Sequence, residues 1–278
     1  MTTPRILWVV GESFSRATVH PQVVTAGELR DRLAWHTPEP GTRPTVVPGL
    51  GIDENTWADL CARMAETGAG ARPVDTHHPP RPVPRHRVLK HAQDNVLIGD
   101  AWATDGRFGA RLTVPNDTEM IRDHTADQQH VPGMLLIEAC TQLITWAVAE
   151  LTTPLPGHGD RYAVMHGLET DFERFVFPLP AELDGTLRIT GPPEDHRIPL
   201  AAEVTVRQSD RVCVNCRVRL HAFDPAHIFA VEHAQATRTL ERSAHPAAQA
   251  GKLDTTVLPG PPADSPLRVA PEAQRAAP

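Results

Sequence analysis

A chain of 278 residues, 40% hydrophobic and 22% charged, is long enough for one large domain or two small ones with a proper core. With 34 acidic against 27 basic side chains, a net charge of −7 and 5% aromatic residues, it lacks the basic patches and stacking rings of a nucleic-acid surface. Ile6 to Val10 is too short for a secretory h-region, no apolar run approaches the ~18 residues of a membrane span, and four cysteines make no disulfide framework; the expectation is a soluble, cytoplasmic protein with neither nucleic acid nor membrane as partner.

Residues 1–75 alternate strand-like and helix-like pieces. Ile6 to Val10 is a β-branched run, Thr25-Ala26-Gly27-Glu28 has the form of a capping box, and Leu29 and Leu33 follow it on one helix face. Thr45-Val46-Val47 predicts a second strand. Asp53 opens a helix with Trp57, Leu60, Cys61 and Met64 on one stripe, Gly68-Ala69-Gly70 ends it, and Arg72 to Val74 is a third strand. That order predicts a small parallel sheet packed on the rest of the chain. Residues 76–87, proline-rich from His77 to Arg87, read as a stiff extended linker.

From 88 to 223 the pattern changes. Val96 to Thr104 and Phe108 to Val114 predict a hairpin closed by Asp105-Gly106, a favoured I′ turn. A polar loop, Pro115 to Gln129, leads into a helix from Pro132 to Leu151 that is apolar almost all round and so must be buried on most sides. Four strands come next, at Tyr162–Phe177, Leu187–Thr190, Ala201–Arg207 and Arg211–Phe223, with Ser209-Asp210 turning between the last two. An antiparallel sheet wrapped around one long central helix is the simplest packing, and the fold class is α+β. Residues 224–278 read as a largely disordered tail, with a short helix at Ala226 to Leu240.

The chemistry concentrates around the central helix. Glu138 lies in its apolar middle, where a carboxylate is costly unless partnered or facing a cavity. Thr141 and Gln142 follow one turn on, so the three polar groups make one stripe. Pro132-Gly133 sits at the helix N-terminus, where free N–H groups suit a developing oxyanion, and Gly133 lets a ligand approach the backbone. His124, in the loop before, can act as a base, and His130 joins the site, caps the helix or faces solvent. The competing explanation of Glu138 is a structural acid paired with an arginine such as Arg174 or Arg188.

These residues carry a resemblance. His124, Pro132, Gly133, Glu138, Ala139 and Gln142 fall on the spacing of the β-hydroxyacyl-carrier-protein dehydratases, which have the hotdog fold. His130 to Ala139, reading His-Val-Pro-Gly-Met-Leu-Leu-Ile-Glu-Ala, resembles the A-factor (γ-butyrolactone) biosynthesis hotdog family. Phe172 to Pro178 and Asp184 to Leu187 resemble the strands that follow the helix in both groups. The A-factor proteins usually carry an arginine where this chain has Thr141, and two hotdog repeats where 88–223 holds one; Thr125-Ala126-Asp127 replaces the dehydratases' Phe-Pro-Gly. The resemblance implies a homodimeric enzyme, without cofactor, acting on a thioester of acyl carrier protein or CoA. Chiefly it implies β-hydroxyacyl dehydration, in which His124 takes the α-proton, Glu138 holds or protonates the leaving hydroxyl and the Gly133 N–H polarises the carbonyl. The alternatives are A-factor-like acyl transfer and a non-catalytic acyl-binding module.

Other signals are weaker. Cys213-x-x-Cys216 sits in a strand pattern, where such positions face opposite ways, and lacks a second pair, so no metal is expected there. His77, His78, His86 and His91 read as histidines exposed by a proline-rich segment, and Gly11-Glu12-Ser13 completes neither a phosphate loop nor a nucleophile elbow.

Overall fold

In the computed structural model the described residues are 6–35, 44–67, 72–73, 78–116, 118, 120–121, 129–152 and 161–244. Four parallel strands open the chain: β1 (Ile6–Val10), β2 (Val23–Thr25), β3 (Thr45–Pro48) and β4 (Arg72–Pro73), in the order β2-β1-β3-β4. Helix α1 (Ala26–Trp35) starts on the capping box, in which Thr25 Oγ1 accepts from the Glu28 N–H and Glu28 Oε2 accepts from the Thr25 N–H, both at 3.2 Å. Helix α2 (Glu54–Glu66) is capped by Asp53 Oδ1, which accepts from the Thr56 N–H at 2.6 Å. Its Trp57, Leu60 and Met64 pack with Leu7, Val9, Val46, Leu29 and Leu33 in one apolar cluster. A 3-10 segment, Glu12–Val19, precedes β2; neither was expected, because one is polar and the other three residues long. Gly68 to Gly70 and Val74 lie outside the described residues.

This small sheet is fused to the antiparallel part of the chain. Val10, Phe14 and Leu50 are buried in the main core. The Gly51 N–H donates to Val114 O (2.9 Å) and the Leu50 N–H to Pro178 O (3.0 Å). Gly11 and Gly51 meet backbone to backbone: a Cβ on Gly11 would lie 2.8 Å from Gly51 Cα. From His78 the proline-rich stretch runs beside the next strand, with the Val83 N–H on Ile98 O and the Asp100 N–H on Arg81 O. It ends in a 3-10 turn, Arg85–Val88, closed by Leu89 in the left-handed region (φ 57°).

The second sheet is antiparallel: β5 (Ile98–Thr104), β6 (Arg107–Leu112), β7 (Tyr162–Phe172), β8 (Glu182–Ile189), β9 (Arg197–Gln208) and β10 (Arg211–Phe223), in the order β5-β6-β8-β9-β10-β7. Asp105 and Gly106 both have positive φ (52° and 75°), as do Ser209 and Asp210 (50° and 61°), the turn geometry that matches strand twist. The sheet wraps helix α3 (Gly133–Thr152), whose Leu135, Ala139, Leu143, Ile144 and Ala147 are fully covered. Opposite them stand alternate residues of β9 (Ile198, Ala202, Val204, Val206) and β10 (Val214, Val218, Leu220). This is the hotdog arrangement.

Several expectations need correction. β7 ends at Phe172 rather than Phe177, because the Glu173 and Arg174 N–H groups both turn to Cys213 O. β8 and β9 begin earlier than their apolar cores, at Glu182 and Arg197. Helix α3, with a mean hydropathy of 1.4, is long and apolar enough to cross a membrane by length and composition, where no apolar run approaching that length was expected; half of it is buried in the fold. A last helix, α4 (Pro225–Ala244), is longer than expected and is capped by Asp224 Oδ1 on the His227 N–H (2.9 Å). The chain divides into two units after Phe229, and residues 245–278 lie outside the described residues.

Candidate active site

Helix α3 begins on Pro132, whose carbonyl accepts from the Leu135 N–H at 3.0 Å. The first N–H groups of a helix have no partner within it, so those of Gly133 and Met134 are available. The Val131 N–H donates to Val176 O (2.7 Å), fixing the chain that enters the helix. Phe172, at the end of β7, lays its ring over Gly133: a Cβ there would meet Phe172 Cζ at 3.0 Å. The His130 ring lies against Phe175 with centroids 4.5 Å apart. Together these residues line an apolar cleft of about 750 Å³, with Leu136, Val176 and Gln208 deeper in. Gln208 builds one wall, its amide accepting from the Phe177 N–H and donating to Phe177 O, both at 3.0 Å. Phe172, Phe175 and Phe177 remain largely exposed at its mouth. A cleft of this size and lining, with donors at one end, suits an acyl chain bearing a carbonyl.

Glu138 sits elsewhere on α3, half-buried with its side chain 26% exposed. Its Oε1 receives both the ammonium of Lys90 and, at 2.8 Å, the amide of Gln142. Its Oε2 has no partner among the described residues. Gln142 is buried and bridges three places, donating also to Asn95 O (2.8 Å) and accepting from the Leu97 N–H (2.8 Å). Its amide thereby ties α3 to the entry of β5. Thr141 returns its hydroxyl to Glu138 O (2.9 Å).

The residues singled out in the sequence therefore fall into two groups. Gly133 and His130 line the cleft; Glu138, Thr141 and Gln142 form a polar stripe along α3 and do not line it. His124 lies outside the described residues. The arginine pairing weighed for Glu138 is corrected to Lys90, while Arg174 is engaged by Val212 O (2.7 Å) and Glu173 (3.4 Å). Sequence reasoning passed over Lys90, Gln208 and the three phenylalanines. The phenylalanine spacing was visible, but read as strand. Cys213 and Cys216 are both buried, because the ladder slips between Val212 and Val214 and shifts the alternation. Among the described residues no group of His, Cys, Asp and Glu is arranged to hold a metal.

Residues 72–224, more than half of the chain, match the family model of the A-factor biosynthesis hotdog domain (AfsA). No curated protein matches the sequence. Among solved structures, the chain is similar to the dehydratase heterocomplex ApeI:P of Xenorhabdus doucetiae, at 18% identity over 54% of this chain and 98% of that one, with a TM-score of 0.40. It is also similar to a conserved protein of Pseudomonas aeruginosa (16% identity, 51% and 100% covered, TM-score 0.37). A thioesterase of Haemophilus influenzae is a third (12% identity, 46% and 78% covered, TM-score 0.32).

Proposed function

Since the chain belongs to the A-factor biosynthesis hotdog domain family, we propose that it is an enzyme of acyl-thioester chemistry, and that the reaction is transfer of a β-functionalised acyl group to a hydroxyl. The observation that carries this choice is the setting of Glu138: two donors, one an ammonium, meet at Oε1, and among the described residues none meets Oε2. A carboxyl group met by donors at one oxygen presents its other oxygen as a hydrogen-bond acceptor. It suits taking a proton from an attacking alcohol better than delivering one to a departing hydroxide.

In the proposed reaction the acyl chain occupies the phenylalanine-lined cleft with its carbonyl at the Gly133 N–H. Glu138, or His124 from the preceding segment of the sequence, takes the hydroxyl proton of the acceptor. The alcohol oxygen forms a bond to the carbonyl carbon, the oxyanion is met by the helix N-terminus, the C–S bond breaks, and the thiolate leaves and takes up the proton. His130 and Thr141 border the two halves of this site. Gln142 acts on it through its grip on Glu138.

Gly133 and Glu138 are on different faces of α3, and a second copy would bring one group's partner from the neighbouring protomer. β7, at the edge of the sheet, supports such a homodimer: among the described residues it pairs only with β10, and it exposes Leu168 and Phe172. The thioester would come from acyl carrier protein or CoA.

Dehydration of a β-hydroxyacyl thioester is the second reading, favoured by the spacing of His124, Pro132-Gly133 and Glu138. Incubation with a 3-ketoacyl thioester and a dihydroxyacetone-phosphate-like acceptor, followed by mass spectrometry, is expected to give the ester and free thiol. Loss of water from a 3-hydroxyacyl thioester, with no ester formed, would replace the first reading by the second. Binding without turnover of either would overturn both.

A further inference from the structure

Beyond the two halves of that site, the structure holds a second recess, of about 320 Å³, between the C-terminal half of α3 and the 3-10 turn before β5. We propose that it binds a phosphate ester and that Arg161 is the residue that holds it. Arg161 is more than nine-tenths buried, with 8% of its surface accessible, and its Nη1 has no hydrogen-bond partner among the described residues. Its Nη2 donates to Asp195 O at 3.3 Å, and among the described residues no carboxylate pairs with it. A guanidinium keeps its charge at any working pH, so a buried fork with one nitrogen unused is a standing demand for an acceptor.

The surroundings are arranged to supply more donors to the same anion. Arg161 lines the recess together with His86, Arg87, Thr145 and Tyr162. Arg87 is bound to Glu150 through Nη2, which offsets its charge but leaves other N–H groups of its fork. Leu89, also on the rim, is held in the left-handed region, which fixes the turn that presents His86 and Arg87. Two guanidinium forks and an imidazole around one small space match a tetrahedral dianion better than a planar carboxylate. The volume admits a phosphate and the first atoms of its ester but not a whole acyl chain.

Thr145 and Ala149 lie about 10 and 16 Å along α3 from Glu138, at 1.5 Å per residue. The recess is thus separate from the reacting groups yet on the same half-exposed stripe. A phosphate seated there could belong to the arm that carries a thioester or to a small phosphorylated alcohol. The binding itself does not depend on the role given to Glu138, because it is measured without turnover.

The test is calorimetric titration of the full chain with inorganic phosphate, with 4′-phosphopantetheine and with glycerol 3-phosphate, in a phosphate-free buffer, with acetate as control. Arg161→Met removes the fork. Ala149→Leu closes the recess from the helix side and keeps the arginine, so it stands as the measurement if the first variant fails to fold. We expect wild type to bind inorganic phosphate and at least one ester more tightly, and both variants to lose affinity by about tenfold or more. The ester that binds more tightly identifies the source: 4′-phosphopantetheine the carrier arm, glycerol 3-phosphate a phosphorylated acceptor. No binding of phosphate, equal binding of acetate, or undiminished binding by folded Arg161→Met and Ala149→Leu would overturn the proposal.

Discussion

Glu138 is tolerable inside so apolar a helix because two donors meet it at one oxygen, and the supporting shell can be tested apart from catalysis. Gln142→Leu leaves the Leu97 N–H and the Asn95 carbonyl without their buried partner, and is expected to cost about 1–3 kcal/mol in urea unfolding. Lys90→Met should leave the fold in place, since the lysine is partly exposed, while lowering the rate of turnover, because Glu138 loses the ammonium that holds its Oε1; an unchanged rate would remove Lys90 from the account. His221 gives a separate prediction. Burial first, then the neighbouring His166 ring and Arg197, hold its imidazole below the ordinary value of 6.5. The unfolded chain then binds the proton more readily, so stability falls as pH drops from about 7 through 6.5 and below. Thermal melts at pH 7.5 and 5.5 should show this drop, and His221→Asn should reduce it. Glu138 could be found in the sequence as a charge in an apolar run. Lys90 could not, because a lysine far along the chain gives no sign of which carboxylate it will meet.

At the scale of elements, α3 carries most of the fold. Leu143 is fully buried between helix and sheet, and Leu143→Ala should cost about 2–5 kcal/mol, read from the denaturation midpoint. A smaller loss would mean that the sheet closes over the gap. Gly133→Ala would push a methyl against the Phe172 ring and should narrow the cleft, weakening acyl binding while sparing the melting temperature. Elements with local chemistry were the legible ones: the Thr25–Glu28 capping box, Asp105-Gly106, the Asp53 cap and the long apolar helix. Elements set by tertiary pairing were not. β2 is three residues beside β1, and β8 and β9 extend past their apolar cores because their neighbours supply hydrogen bonds there. The proline-rich stretch reads as a stiff extended linker, yet its Val83 N–H and Arg81 carbonyl pair with the β5 backbone.

Across the whole molecule, the parallel sheet and the hotdog sheet are joined by shared core residues, so removing residues 1–75 should expose Val114 and neighbouring apolar surface and give an insoluble product. The proposed homodimer predicts twice the chain mass in light scattering, and Leu168→Lys with Phe172→Glu should halve it without unfolding the protomer. The measurement closest to the central claim is the rate of thiol release from a 3-ketoacyl thioester, with a hydroxylated acceptor, by wild type and by Glu138→Gln. The glutamine keeps the shape and the contact with Gln142 but cannot take a proton, so the rate should fall by about 10²–10⁴ at an unchanged melting temperature. A folded Glu138→Gln protein that releases thiol at the wild-type rate would contradict the account.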